Sequence, residues 1–145
     1  MLQIRRLKRN QVDEKLLSEI NRLWLQLSPD SEPLTLARLK EIARQRFYCM
    51  AILKNRSEPA KIAAIGSIHF VRDFHGLIGY VNNVVVNKNC RYAGIGTKIE
   101  EHFTELAKIQ GAKFIDATSN DKHAPEFWLK HGWQKRETNV FRKYL

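Results

Sequence analysis

The stretch from Asn89 to Ile99, Asn-Cys-Arg-Tyr-Ala-Gly-Ile-Gly-Thr-Lys-Ile, has the residue types and spacing needed to hold an anion. It lies between the most apolar run of the chain, Val84-Val85-Val86, and a helix-patterned segment, so the order is strand, glycine-containing turn, helix start. Glycine at 94 and 96 removes the Cβ atoms that would keep a ligand off the backbone. The first N–H groups of a helix have no partner of their own, and together with the helix dipole they favour a phosphate. Arg91 can add a charge and Thr97 a hydroxyl. The same two glycines also suit a plain tight corner, and a Gly-x-Gly spacing alone does not choose between the two.

Two other phosphate loops are excluded. A P-loop needs four residues between its first glycine and Gly-Lys-Ser/Thr, whereas Gly96 is followed by Thr97-Lys98 in the reverse order. The dinucleotide fingerprint needs a third glycine where Ile99 stands, and an early βαβ unit.

The elements around this stretch can be read from periodicity. Residues 2 to 7 read as a strand, and Leu16, Leu17, Ile20, Leu23, Trp24 and Leu27 mark an amphipathic helix from Val12 onward, broken by the segment from Ser28 to Pro33. Thr35 can cap a second helix that ends near Phe47. Three strands follow, Tyr48 to Leu53, Ile62 to Val71 and Leu77 to Val86, with hairpin turns at Asn55 to Pro59 and Arg72 to Gly76. After the glycine turn, Ile95, Ile99, Phe103 and Leu106 form one helical stripe that Gly111 stops. Phe114 to Thr118 is the next strand, parallel to the one before the helix, because a helical crossover joins parallel neighbours. Asp121 caps a last helix running to His131 and stopped by Gly132, and Trp133 to Arg136 and Thr138 to Tyr144 read as a closing pair of strands.

At 145 residues the chain is one domain, residues 1–145, able to bury a core without staples. No apolar run near the amino terminus is long enough for a signal peptide or a membrane span, and Cys49 and Cys90 lie in no metal-ligand spacing, so free thiols and a cytoplasmic location are expected. The net charge of +10 attracts anions and repels polycations. Its dispersal over many elements, with no basic tail or aromatic-basic motif, reads as a solvated surface and makes nucleic acid an unlikely partner.

The Val84-Val85-Val86 run, the turn Arg91-Tyr92-Ala93-Gly94-Ile95-Gly96, Asn120, and Ala124 to Trp133 (Ala-Pro-Glu-Phe-Trp-Leu-Lys-His-Gly-Trp) closely resemble the GNAT superfamily of acetyl-CoA-dependent N-acetyltransferases. The turn matches the family's Arg/Gln-x-x-Gly-x-Gly/Ala motif in full. The resemblance extends from about residue 48 to 145, and the order of the preceding helices agrees. It implies an α/β fold with a mixed, mostly antiparallel central sheet flanked by helices, splayed to admit the pantetheine arm of acetyl-CoA between two parallel strands. It also implies that the backbone of Val84, Val85 and Val86 binds the pantetheine amides, and that Arg91, Tyr92, Ala93, Gly94, Ile95, Gly96 and Thr97 surround the pyrophosphate. Each hydrogen bond to a charged phosphate is worth about 1.5–3 kcal/mol, so several amides outweigh the Arg91 side chain. Asn120 stands where the family's asparagine contacts the cofactor arm, one residue further from Ala124 than is commonest.

The implied reaction is attack of an amine on a thioester. A lysine-like amine has a reference pKa near 10.4, so freeing its lone pair at pH 7 costs about 4–5 kcal/mol. Two positions depart from the family: Trp128 replaces the tyrosine that protonates the leaving thiolate, and Asn82-Asn83 replaces a carboxylate-bearing pair. An indole donates a hydrogen bond but is no practical acid. The catalytic groups are therefore open, with Asn82, His69, Tyr80 and Trp128 as weak candidates. His69, Asp73 and His75 can face an acceptor channel or stand as exposed loop residues. Tyr80 and Tyr144 are acids or packing residues. Trp24 and Trp133 read as packing, His102 and His131 as helix surface, and His123 as a helix-start residue near the cofactor arm. Direct transfer needs no thiol nucleophile, which leaves Cys90 outside the catalytic set.

The function implied is N-acetyl transfer from acetyl-CoA, without a metal, to a small-molecule or protein amine. The charge favours an acceptor carrying a carboxylate or phosphate over a polycation. A CoA-binding sensor or partner module without turnover is the alternative, followed by a nucleic-acid-associated protein. No membrane partner is expected, and the family makes a homodimer a fair expectation.

Overall fold

The computed structural model describes residues 1–45, 47–53, 60–91, 93–119 and 124–145. Asp13 accepts the N–H of Leu16 at 2.7 Å and so starts helix α1, Glu14–Leu27. Its apolar stripe, Leu17, Ile20 and Leu23, is buried. Helix α2, Leu36–Gln45, follows from Thr35, whose hydroxyl accepts from Arg38 N at 3.2 Å. The link between the two helices is held by Asn21, which donates to Leu34 O at 3.0 Å and accepts from Leu34 N at 2.7 Å.

Five strands form one sheet in sequential order: β1 Leu2–Arg6, β2 Phe47–Leu53, β3 Lys61–Asp73, β4 Gly76–Val86 and β5 Ile115–Ala117. The first three pairings are antiparallel, and β4 with β5 is parallel, as a helical crossover requires. That crossover is α3, Ile95–Gln110, which ends at Gly111 in the left-handed conformation with φ 76°. Helix α4 is short, Ala124–Lys130.

Alternation along the strands divides the core between the two faces of the sheet. On one face Met50, Ile62, Ile65 and Val85 pack with Leu17, Ile20, Leu23 and Leu39 of α1 and α2. On the other, Cys49, Ala64, Ile68 and Val81 pack with Ile95, Ile99 and Phe103 of α3, and Trp128 and Trp133 lie against them.

Two expectations need comment. The hairpin turn at Asn55 to Pro59 lies outside the described residues, although β2 and β3 pair as a hairpin would. The closing strands at Trp133 to Arg136 and Thr138 to Tyr144 do not form: residues 133–145 carry no strand, and Val140, Phe141 and Tyr144 are exposed. A strand needs an edge to pair with. Here the outermost strand, β5, is three residues long, and the segment's own apolar residues are clustered at 140–141 and 144–145 rather than alternating.

Candidate functional site

The site begins with an irregularity in β4. Ile65 pairs with Val85, but Ser67 pairs with Asn82, so two steps on β3 match three on β4 and one residue is extra. Asn83 takes the strain, with φ 54°, a conformation asparagine tolerates better than most residues. Such a bulge bends its strand. β5 pairs with β4 only at Gly79, Tyr80 and Val81, immediately before the bulge, and among the described residues β4 runs on to Val86 without a neighbour on that side.

Beyond the bulge, Asn87 donates to Ala63 O of β3 at 2.8 Å. By strand alternation Val85 also turns its backbone toward β3, and Val84 and Val86 turn theirs to the open side. Val86 O is taken by Gln26 of α1, whose Nε2 donates to it at 2.9 Å while its Oε1 accepts Lys88 N at 3.1 Å. Gln26 thus fixes the end of β4 and the short 3₁₀ turn Lys88–Cys90 that follows. Its position 60 residues from Val86 gives it no local sequence signal.

The turn then delivers the start of α3. Gly94 is its N-cap in the left-handed conformation, φ 72°, and a Cβ there would meet nothing within 4 Å. The first helical bond runs from Lys98 N to Gly94 O at 3.1 Å, so the N–H groups of Ile95, Gly96 and Thr97 have no acceptor within the helix. Gly96 is needed for a different reason: a Cβ would lie 3.2 Å from the Phe127 ring and 3.6 Å from Val86. Its hydrogen admits α4 and β4 against the first turn of α3. Arg91 and Ala93 are exposed at the turn, and Tyr92 lies outside the described residues, as do Asn120, Asp121 and His123.

The side-chain candidates fall on both faces. Ile68 and Val81 point to the α3 face, so their neighbours Ser67, His69, Tyr80 and Asn82 face α1 and α2. There His69 and Tyr80, paired across the strands, stack with ring centroids 5.3 Å apart. Ser67 donates to Asn82 O at 3.3 Å, and the side-chain Oδ1 of Asn82 is buried with no partner among the described residues. Trp128 is on the opposite face, packed on Trp133 at 4.5 Å between centroids. Trp133 Nε1 in turn donates at 2.9 Å to Glu100, a buried carboxylate of α3 that also accepts from Thr104 at 2.8 Å. These links place Trp128 in a packed aromatic group.

Asp73 and His75 lie away from the group formed by Ser67, His69, Tyr80 and Asn82. They sit at the β3–β4 hairpin, where Asp73 Oδ1 accepts His75 N at 2.7 Å, six residues or about 20 Å of extended strand from Asn82. Tyr144 is exposed in the carboxy-terminal segment. Cys49 and Cys90 are free thiols. Burial pushes Cys49 up to about 11, partly offset by Arg6, which makes it inert at neutral pH. His102 is half-buried on α3 and lowered by that burial. Among the described residues no group of three His, Cys, Asp or Glu side chains could hold a metal, and no helix is long and apolar enough to cross a membrane.

The β4–β5 pairing thus ends at Val81, and the start of α3 lies beyond it with the N–H groups of Ile95, Gly96 and Thr97 outside the helical ladder. A profile of the acetyltransferase (GNAT) family matches residues 14–133. Solved structures share the whole fold. An acetyltransferase from Trypanosoma brucei superposes with TM-score 0.78 at 22% identity, covering 99% of this chain and 100% of its own. Glucosamine-6-phosphate N-acetyltransferase from Arabidopsis thaliana gives 0.80 at 22% identity, with 99% of each chain covered. An aminoglycoside acetyltransferase from an uncultured soil metagenomic sample, solved with sisomicin, gives 0.81 at 20% identity over 99% of this chain and 95% of its own. No curated protein matches the sequence.

Proposed function

The chain belongs to the GNAT acetyltransferase family, and on that premise we propose that it moves an acetyl group from acetyl-CoA to a primary amine by direct attack of the amine nitrogen on the thioester carbonyl. The observation that carries this reading is the end of β4–β5 pairing just before the Asn83 bulge, beyond which lie the first α3 amides, unpartnered among the described residues. Val84 and Val86 offer the backbone groups for the pantetheine amides, and Val85 serves the hold on β3 and the α1 face. The amides of Ile95, Gly96 and Thr97 receive the pyrophosphate, with Arg91 as an outer charge. Asn120 and Tyr92 belong to the same proposal.

The acceptor approaches from the α1/α2 face, where the polar side chains of β3 and β4 stand. The buried Oδ1 of Asn82 has no donor among the described residues, and an amine N–H would supply one while turning the nitrogen lone pair toward the thioester. An N–C bond forms and the C–S bond breaks. The nitrogen gives up its proton through His69 or water, and the sulfur gains one from Tyr80 or water. Holding the two reactants together contributes much of the rate, so a weak acid and base suffice. Arg9, Lys40 and Arg44, with Glu41 beside them, line a surface depression along α2. The net charge of +10 favours an amine bearing a phosphate or carboxylate over a polycation.

The packing of Trp128 in the core and the absence of a carboxylate at Asn82 favour one second reading, a CoA-binding module without turnover. Calorimetry with acetyl-CoA, followed by thiol release over a panel of anionic and cationic amines, separates the two. Binding with release on an anionic amine is expected. Binding with no release on any amine supports the second reading, and no binding removes both. A homodimer is part of the proposal, supported by the exposed apolar residues Val140, Phe141, Tyr144 and Leu145, and is checked by light scattering.

A further inference from the structure

His131, one residue past α4, ties the end of that helix to the start of α3. Its Nδ1 lies 2.7 Å from Phe127 O and its Nε2 lies 3.0 Å from Thr97 Oγ1. A carbonyl only accepts, so Nδ1 carries a hydrogen. In the neutral ring Nε2 is then bare and accepts the Thr97 hydroxyl proton. Thr97 is the third residue of α3, and its own amide is one of the three left free at the helix start. The Phe127 ring packs against the imidazole at 4.4 Å between centroids and bounds Gly96, so the link is held on both sides.

With its proton committed to His131, Thr97 presents only lone pairs to an approaching anion. If Nε2 takes up a proton, the bond reverses: Nε2–H donates to Thr97 Oγ1, and the hydroxyl is freed to donate to an anion oxygen. Nδ1–H keeps its bond to Phe127 O throughout. We propose that His131 is a positioning residue for the cofactor, acting through the Thr97 hydroxyl, and that binding of the pyrophosphate is coupled to uptake of one proton at its ring. This rests on the acetyl-CoA reading of the cleft.

The charged groups on the two helices it joins are Lys98, Glu100, Glu101, Glu105 and Lys108 on α3 and Glu126 and Lys130 on α4, of which Glu105 and Lys108 lie two turns or more beyond Thr97. Lys98 and Glu101 pair with each other at 2.7 Å, Glu100 accepts from Trp133 and Thr104, and Glu126 and Lys130 are exposed, as are Arg91 in the turn and Lys135 beyond Trp133. His131 is thus the ring that meets the cradle hydroxyl directly.

The test uses 3′-dephospho-CoA, whose pyrophosphate has no group titrating near neutrality, with calorimetry between pH 6 and 8 in buffers of different ionisation heat. Affinity should fall by up to about tenfold per pH unit across the histidine range, with up to one proton taken up per ligand. His131→Gln, which keeps an acceptor for Thr97 but cannot take the proton, should flatten the profile. Thr97→Val, which breaks the bridge and leaves the histidine, should flatten it as well. Pantetheine, which lacks phosphate, should bind wild type independently of pH. A flat wild-type profile, or an unchanged slope in both variants, overturns the proposal. Failure of both dephospho-CoA and pantetheine to bind at any pH overturns the cofactor reading and this proposal with it.

Discussion

The two sides of strand β4 are built from different parts of the chain. On the side that opens toward α3, the groups proposed to hold the cofactor are backbone: the outward amides of Val84 and Val86 and the N–H groups at 95–97 that lie outside the helical ladder. On the α1/α2 face they are side chains: Ser67, His69, Tyr80 and Asn82. A backbone site depends on path, and many sequences can trace one path provided glycine stands where no Cβ fits. A side-chain site changes with each substitution. Structures that share only 20–22% identity with this chain keep its fold over nearly their whole length.

The largest effect is expected where the path itself is blocked. Gly96→Val places a branched Cβ 3.2 Å from the Phe127 ring and 3.6 Å from Val86, displacing α4 or β4 from the first turn of α3. CoA affinity should fall by at least about 100-fold, or roughly 2.7 kcal/mol, while circular dichroism still reports a folded chain. Arg91→Ala removes an exposed outer charge, and it should cost only about three- to tenfold in the same titration, in keeping with a solvated contact. Equal losses from both substitutions would show that the site is built from side chains after all.

A smaller effect is expected on the chemical side. Trp128→Tyr introduces the hydroxyl that the family resemblance implies at this position, but the ring is packed on Trp133 at 4.5 Å between centroids, on the face opposite His69, Tyr80 and Asn82. If proton transfer already runs through the α1/α2 face or water, kcat should change by less than about threefold, or roughly 0.65 kcal/mol, and KM for acetyl-CoA should hold. A gain of tenfold or more would mean that this chain lacks an effective acid and that position 128 reaches the leaving sulfur.

The same contrast explains what could be read in advance. Helix α3, its stop at Gly111, the parallel β5 and the glycine turn into α3 were legible because each leaves a local mark: a three-and-four spacing, a left-handed glycine, a glycine pair after an apolar run. The links that hold the site left none. Gln26 reaches Val86 across 60 residues, Glu100 receives Trp133 across 33, and His131 meets Thr97 across 34. Each is one polar side chain with no periodic signature, and a sequence reading places such residues on the surface by default. The Asn83 bulge was hidden for another reason: one extra residue shifts a register without altering composition. The carboxy-terminal strands were expected from β-prone residues, but β-propensity acts only where an edge is free to pair.

Gly94→Ala gives the finest test, because it separates conformation from space at a single atom. The residue sits at φ 72°, where an L side chain costs about 1–2 kcal/mol, yet its Cβ would meet nothing within 4 Å. If Gly94 serves only to turn the chain into α3, the substitution should lower stability by about that amount, or roughly 2–8 °C in Tm, and change CoA affinity by less than about threefold. If affinity instead collapses while stability falls only as expected, the open space above Gly94 is ligand space, and the missing Cβ is part of the binding surface. Gly96 cannot make this distinction, since any Cβ there strikes Phe127 before it meets a ligand. Gly94→Ala therefore shows whether the cofactor touches that glycine or whether it only shapes the cradle.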